Sequence, residues 1–287
     1  MRVDAVLEAL PLQSRPLQSP TTLAPMPPAK KRTRSYDSAK IRSAVLAQFG
    51  HVREAVGALT PEQLDGPTRL GEWSVRDLAA HLAWMVDSVP QLLAMPERAK
   101  DRLALLDWPF VTAGASERID AYTRGLDASD PAGLYARVAV DYERAVAGAE
   151  DERLLPVSFG GMTLADFLVT RTVELVVHTD DLNAATGVGI PYDRQALAAC
   201  TRLLADALAS KAPGGAVEVR VPPFAVVQCV EGPRHTRGTP PNVVETDPMT
   251  WIRLATGRAE WATELDAARV SASGERADLE HLLPLMG

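Results

Sequence analysis

GEWSVRDLAAHLAW (residues 71–84) and RTVELVVHTDDLNAATG (residues 171–187) decide how this chain of 287 residues folds. In the first, Ser74 caps a helix, Asp77 closes a capping box three residues later, and Trp73 is placed to staple onto Leu78. The helix then turns Leu78, Leu82, Met85 and Val89 to one face. The second stretch ends a longer run that opens at Thr163, boxed by Asp166, and stops at Gly187. Apolar residues lie nearly all round this run, which predicts the most buried helix of the fold. Two more helices flank the pair. Ile41, Val45, Phe49, Val52, Val56 and Leu59 recur at helical spacing to make one apolar stripe. Asp130-Pro131 opens another helix with Leu134, Val138, Tyr142 and Val146 inward. Four long helices within residues 36–190 predict a bundle, and bundle sites are built from inward side chains on facing helices.

Outward from the bundle the pattern changes. Residues 1–35 hold six of the 22 prolines and little periodicity after Leu12, so they read as a disordered leader or a misassigned start. Beyond Pro191, Leu197, Cys200, Leu204 and Leu208 mark one more helix. Val217, Val219 and Val221 then alternate as in a strand, and further strands are expected over 224–230, 243–246 and 269–273. Asp247-Pro248 starts a helix bearing Trp251 and Leu254. Residues 191–287 therefore read as a second, α+β domain, in keeping with the length of the chain.

Composition excludes several classes of function. Of the formal charge of −7, residues 1–35 contribute a surplus of four positive charges, so the remainder carries −11. An acidic body argues against nucleic acid as a partner, and the run Lys30, Lys31, Arg32, Arg34 reads as a solvated tail. Two cysteines, Cys200 and Cys229, make no disulfide framework and suggest a reducing cytoplasm. No apolar run is long enough to span a bilayer, and Asp4, Glu8 and Pro11 break any signal-peptide core.

Chemistry concentrates on the two quoted stretches. Glu174 and His178, four apart on a helix, stack on one face, and His81 flanks the inward stripe of its own helix. Two neutral imidazoles and a carboxylate suit Zn²⁺ or another divalent ion, and three protein ligands leave a coordination position open. Asp181, one turn on, is placed to accept the remaining imidazole N–H of His178, and Arg171 to balance charge or hold an anionic substrate. The same residues are also compatible with ordinary buried hydrogen bonds, although Glu, His and Arg on the most buried helix need strong partners.

Those two segments, between Asp37 and Gly187, resemble the DinB/YfiT-like bundle of the mycothiol-dependent maleylpyruvate isomerase family. The resemblance implies zinc held by His81, Glu174 and His178, with mycothiol as thiol cosubstrate. VPPFAVVQCVEGPRHTRGTPPNVVETDPMTWIRLATG (residues 221–257) resembles the bacterial sterol-carrier-protein-like domain often fused to such bundles. This C-terminal sequence does not align with that of the isomerase itself, which separates the chain from maleylpyruvate as a given substrate.

The remaining candidates are few. Arg234, His235 and Arg237 sit in a Gly/Pro-rich loop and read either as an anion clamp over the bundle site or as a turn paired to Glu231 or Glu245. Both cysteines, Trp251 and Trp261 read as core, and His51 and His281 as surface. Two functions are expected from this reading. The first is a zinc-dependent, mycothiol-using S-transferase or isomerase with a small electrophilic substrate, in which Arg171, Arg234 and Arg237 orient the substrate. The alternative is a carrier of an apolar metabolite, with a structural or vestigial metal site.

Overall fold

The structure, a computed structural model, describes residues 34–98, 100–112, 114, 116–232 and 240–286. Helices α1 (Ser38–Ala58), α2 (Pro61–Leu64), α3 (Val75–Leu93), α4 (Trp108–Thr112), α5 (Ser116–Arg124) and α6 (Pro131–Val146) precede a hairpin of β1 (Leu154–Val157) and β2 (Gly160–Thr163). Helices α7 (Leu164–Thr186) and α8 (Arg194–Lys211) follow, then β3 (Val217–Val221), β4 (Ala225–Cys229), β5 (Val243–Thr246), α9 (Pro248–Ala255), α10 (Trp261–Asp266) and β6 (Val270–Ser273). The class is α followed by α+β. The expected leader lies, up to residue 33, outside the described residues.

Helices α1, α3, α6 and α7 pack on one another as a four-helix bundle. Their starts are those the sequence marks. Ser74 and Asp77 form a reciprocal capping box on α3, Asp130 caps α6 ahead of Pro131, and Thr163 accepts from the Asp166 amide on α7. Gly187 ends α7 at φ 70°, a left-handed conformation that costs a residue without Cβ little. The stripe of α1 is buried from Ile41 to Val56, and Phe49 stacks on Tyr135 of α6 with ring centroids 4.7 Å apart.

Helix α7 is buried nearly all round, and its polar residues explain how that is possible. Thr170, Thr172 and Thr179 are buried, but each hydroxyl donates to a carbonyl of its own preceding turn, on Phe167, Val169 and Leu175. Gln48 of α1 donates to Thr179 Oγ1 and to the Pro191 carbonyl and accepts from the Asp193 amide, so every part of a buried amide is used. That one side chain joins α1, α7 and the cap of α8.

The C-terminal sheet runs β4-β3-β5-β6, with β3–β4 and β5–β6 antiparallel and β3–β5 parallel. Val217, Val219 and Val221 turn their side chains to the buried face, as their alternation predicts. Helix α8 packs on β4 and α9 on one side and on α1 and α7 on the other. Residues 36–287 thereby form one compact unit, and the apolar cluster runs unbroken from Ile41 to Leu285. Cys200, Cys229, Trp251 and Trp261 lie in this cluster. His51, expected at the surface, is half-buried with Nδ1 3.2 Å from the Pro191 carbonyl.

Several elements have no counterpart in the sequence reading: α2, α4, α5, α10 and the β1–β2 hairpin. Strands of four residues interrupted by Pro156 and Gly161 are too short to show alternation. In α5, Thr123 alone is buried among the residues whose exposure is described, so no apolar stripe announces it.

Replacing Phe49 by Ala removes a fully buried ring from a stacked pair, and is expected to destabilise the fold by about 3–5 kcal/mol. Val140→Ala, at a side chain 55% exposed on α6, is expected to change it by less than about 0.5 kcal/mol. Urea midpoints at constant slope distinguish the two.

Candidate metal centre and adjoining cavity

The capping box of α3 starts the helix where His81 falls on the inward side, two turns along. The loop ahead of it is closed by Thr68, whose amide and hydroxyl both donate to the Trp73 carbonyl. Trp73 is thereby buried against His81, with ring centroids 5.0 Å apart, and Trp84 flanks the same imidazole at 5.7 Å. Helix α5 completes the enclosure. Trp73 Nε1 donates to Asp120 Oδ1 at 2.7 Å, and Thr123 Oγ1 lies 3.2 Å from His81 Nδ1.

Across the bundle, α7 offers Glu174, His178 and Asp181 on one face. His178 Nδ1 donates to Asp181 Oδ2 at 2.8 Å, and Nε2, which offers a lone pair once its proton is lost, lies 3.3 Å from Glu174 Oε2. The imidazoles of His81 and His178 meet edge to face with centroids 4.9 Å apart. One ligand atom each from His81, Glu174 and His178 lies within 4.8 Å of the others. Ligands around tetrahedral zinc sit about 3.4 Å apart, so the three converge on one ion with little adjustment.

The decisive detail is His81 Nε2. It is buried and has no hydrogen-bond partner among the described residues. A buried nitrogen left in this way costs about 1–3 kcal/mol, a penalty that a ligand at that point removes. Thr123 Oγ1 is able to accept from Nδ1–H, and in that tautomer Nε2 carries the lone pair that a metal needs. The donor set therefore fits a divalent ion, with a coordination position left over.

The electrostatics agree. Burial, helped by the neighbouring His178, drives the His81 pKa down to about 3, so this imidazole is neutral at physiological pH. Burial alone would also lower His178, but its hydrogen bonds to Asp181 and Glu174 outweigh that and raise it above the usual histidine value. Burial works to raise Glu174, yet the His178 hydrogen bond and the Arg171 charge hold its carboxyl at about 2.

Asp181 is fully buried and serves three cations. Besides His178 it accepts from Arg258 Nε and Nη2 at 2.8 and 2.7 Å and from Arg69 Nε at 2.6 Å. Its neighbour Asp180 accepts a forked pair from Arg253 of α9, a bond from Arg69 at 2.6 Å and one from the Tyr192 hydroxyl. Arg69 precedes α3, whereas Arg253 and Arg258 belong to the C-terminal part. Sequence reasoning assigned none of these three arginines, because no local spacing links them to α7. Thr123 and Asp120 were missed for the same reason.

A cavity of about 350 Å³ opens beside the cluster, with Glu174 and Arg171 in its wall and the β1–β2 hairpin, α3, α4 and α5 around it. Arg171 is buried there. It donates to Thr170 Oγ1 at 3.1–3.2 Å and to Met85 Sδ at 3.1 Å, and stacks over Phe167 at 4.3 Å. No carboxylate lies within ion-pair distance of it among the described residues, so the expected balance with Glu174 acts through space rather than through a bridge. Arg234, His235 and Arg237 lie outside the described residues.

Titration with Zn²⁺ at a pH below the raised folded pKa of His178 is expected to release a proton from that imidazole, because His81 and Glu174 carry none to lose near neutrality. Affinity should rise about tenfold per pH unit below the folded pKa of His178 and level off above it. Calorimetry in buffers of different protonation enthalpy measures the release directly, and an affinity independent of pH would remove His178 from the ligand set.

Comparison with known proteins shows what the chain is similar to. Residues 45–183 match the model described as the mycothiol maleylpyruvate isomerase N-terminal domain, and residues 193–285 match that described as bacterial SCP ortholog. No curated protein matches the chain. Among solved structures, a mycothiol-dependent maleylpyruvate isomerase matches with a TM-score of 0.55 at 15% identity, over 88% of this chain and 97% of its own. A histidine-to-alanine mutant of that isomerase matches with the same values. At that identity the likeness is one of fold, and it extends beyond the bundle into the C-terminal part, whose sequence does not reveal it. Through residues 45–183 the chain is similar to the mycothiol maleylpyruvate isomerase N-terminal domain, and through residues 193–285 to the bacterial SCP ortholog.

Proposed function

We propose that the protein is a metal-dependent, mycothiol-using thiol transferase or isomerase that acts on a small electrophile, with zinc held by His81, Glu174 and His178. The observation that carries this reading is a three-ligand cluster with an unpartnered buried Nε2, placed against a cavity of small-molecule size. A divalent ion bound there would hold a coordinated thiol as its thiolate at neutral pH. The relatives that match in fold are mycothiol-dependent isomerases, which makes mycothiol the thiol of choice.

The chain's own residues supply the rest. Asp181 locks His178 in the tautomer that exposes Nε2 and keeps the ring from turning. Arg171, buried at the cavity wall, presents N–H donors where negative charge develops on a carbonyl oxygen of the substrate. Addition of the thiol to an activated double bond forms an S–C bond and sends the π pair towards that oxygen. Rotation and expulsion of the thiol then return the isomerised alkene, whereas retention of the adduct gives S-transfer. Arg234 and Arg237 are proposed as further anion contacts from their loop. The cytoplasm, where a low-molecular-weight thiol stays reduced, is the compartment this chemistry requires. No helix among the described residues is long and apolar enough to cross a membrane.

The carrier alternative has less to stand on. Helix α8 packs on β4, and Cys200, Leu204, Leu208 and Trp251 lie in the same apolar cluster as Val217, Val219 and Val221 of the sheet. The cavity lined by aromatic side chains lies in the bundle, whereas those on the C-terminal part are open clefts at its surface, lined in one case by Arg220, Pro222, Pro223 and Glu245.

Metal analysis of the purified protein is expected to find about one zinc per chain. His178→Ala and Glu174→Gln should each lower metal affinity by at least about 100-fold, as loss of a ligand does. Mycothiol binding should depend on the metal and disappear with it. Zinc without thiol binding would transfer the case to the carrier reading, and a protein that takes up no divalent metal would end both forms of this proposal.

A further inference from the structure

The cavity has a chemical character that the metal cluster alone does not explain. Its walls are predominantly apolar, with Trp84, Tyr122, Trp108, Phe159 and Phe167 among them. Trp84 and Tyr122 pack on each other with centroids 4.5 Å apart, although Tyr122 is 47% exposed. Such surfaces suit a flat apolar body and poorly match the hydroxyl-rich body of mycothiol, so they belong to the other reactant. Two guanidinium groups face this space. Arg118 stands exposed at the rim, with its guanidinium carbon 5.6 Å from the Phe159 centroid and no carboxylate partner among the described residues. The nearby Asp120 is committed to Trp73 and Arg124. Arg171, in the wall beside Glu174, likewise lacks an ion pair among the described residues. The only carboxylate in the wall, Glu174, is engaged with His178. The cavity is therefore apolar over most of its wall, with one guanidinium at its rim and another in the wall beside Glu174.

We infer that this cavity takes an amphipathic monocarboxylate, with an aromatic or similarly flat apolar body, the carboxylate at Arg118 and the electrophilic carbonyl end at Arg171. The inference names the substrate class for the thiol chemistry proposed above and rests on that reading. A small diacid leaves the aromatic walls unfilled, and a neutral aromatic leaves Arg118 without its anion. For an aroyl-acrylate the step balances without an external oxidant or reductant. The thiol sulfur bonds to one alkene carbon, the π pair moves into the enolate whose oxygen faces Arg171, and a proton returns to the other carbon or the thiol departs again.

The test uses the full chain loaded with zinc and three unreactive probes: 3-benzoylpropanoate, its primary amide, and succinate. Binding is read from tryptophan fluorescence, since Trp84 and Trp108 line the wall, and by calorimetry. The aromatic acid is expected to bind at least about tenfold more tightly than either of the others. Arg118→Gln, at an exposed position that carries no fold, should weaken the acid about fivefold and leave the amide unchanged, and Arg118→Lys should recover part of the loss. Phe159→Ala should weaken acid and amide together. Equal binding of acid and amide, or preference for succinate, would overturn the inference. Mixing with mycothiol and 3-benzoylacrylate separates the two proposals. Binding of the aromatic acid without thiol consumption supports the ligand class and removes the thiol chemistry. Thiol consumption with small unsaturated diacids but not with the aromatic acid keeps the chemistry and removes the ligand class.

Discussion

A carboxylate with no contact with water, Asp181, receives the Nδ1 proton of His178, and much of the molecule is arranged around that bond. Burying an ionised carboxyl is expensive unless every oxygen is engaged by donors, preferably charged ones. Here the donors come from three directions: His178 on the same helix, Arg69 ahead of α3, and Arg258 from the C-terminal part. Asp180 repeats the arrangement with Arg69 and Arg253. The orientation of His178 in the candidate metal centre and the attachment of the C-terminal part to the bundle thus depend on the same two side chains. A change that loosens one must disturb the other, because removing a single partner strands a buried charge.

This coupling accounts for a helix that looks contradictory in isolation. Apolar enough to be buried all round, α7 also carries Arg171, Glu174, His178, Asp180 and Asp181. Its threonine hydroxyls return to its own carbonyls and make no demand on neighbours. Its ionisable groups divide into two sets. Asp180 and Asp181 face the arginines and are closed to water, whereas Glu174 and Arg171 face the cavity. His178 stands between, bonded to both Asp181 and Glu174. One helix therefore separates a buried ion network from the cavity wall, with a single imidazole as the bridge.

The cavity depends on elements that contribute little to stability. Helix α5 buries only Thr123 among the residues whose exposure is described, yet that residue is the hydrogen-bond partner of His81 Nδ1. Asp120, one turn earlier, anchors Trp73, and Tyr122 forms part of the aromatic wall. The β1–β2 hairpin supplies Phe159 at its turn, and Gly160 and Gly161 there admit the backbone at Asp101 and Arg98, where a Cβ would meet a carbonyl oxygen at 2.0 Å. Local elements with weak sequence signals thus form the part of the protein that would meet substrate.

The sequence by itself determined the bundle, the α+β class of the C-terminal part and the face of α7 that carries Glu174, His178 and Asp181. Capping boxes at Ser74 and Thr163, the stripe of α1 and the alternation of β3 are local patterns, and local patterns survive in a string of residues. They set His81 and the α7 pair on inward faces of two helices. Only the tertiary structure decided that these faces meet, that His81 Nε2 is left without a partner, and that Asp181 answers to Arg69 and Arg258 as well as to His178. It also decided that Arg171 lines a cavity rather than bridging to Glu174, and that α4, α5 and the hairpin form that cavity's walls. The physical reason is range. A helix start is written within four residues, whereas the groups that satisfy a buried charge are chosen by packing among side chains about a hundred positions apart.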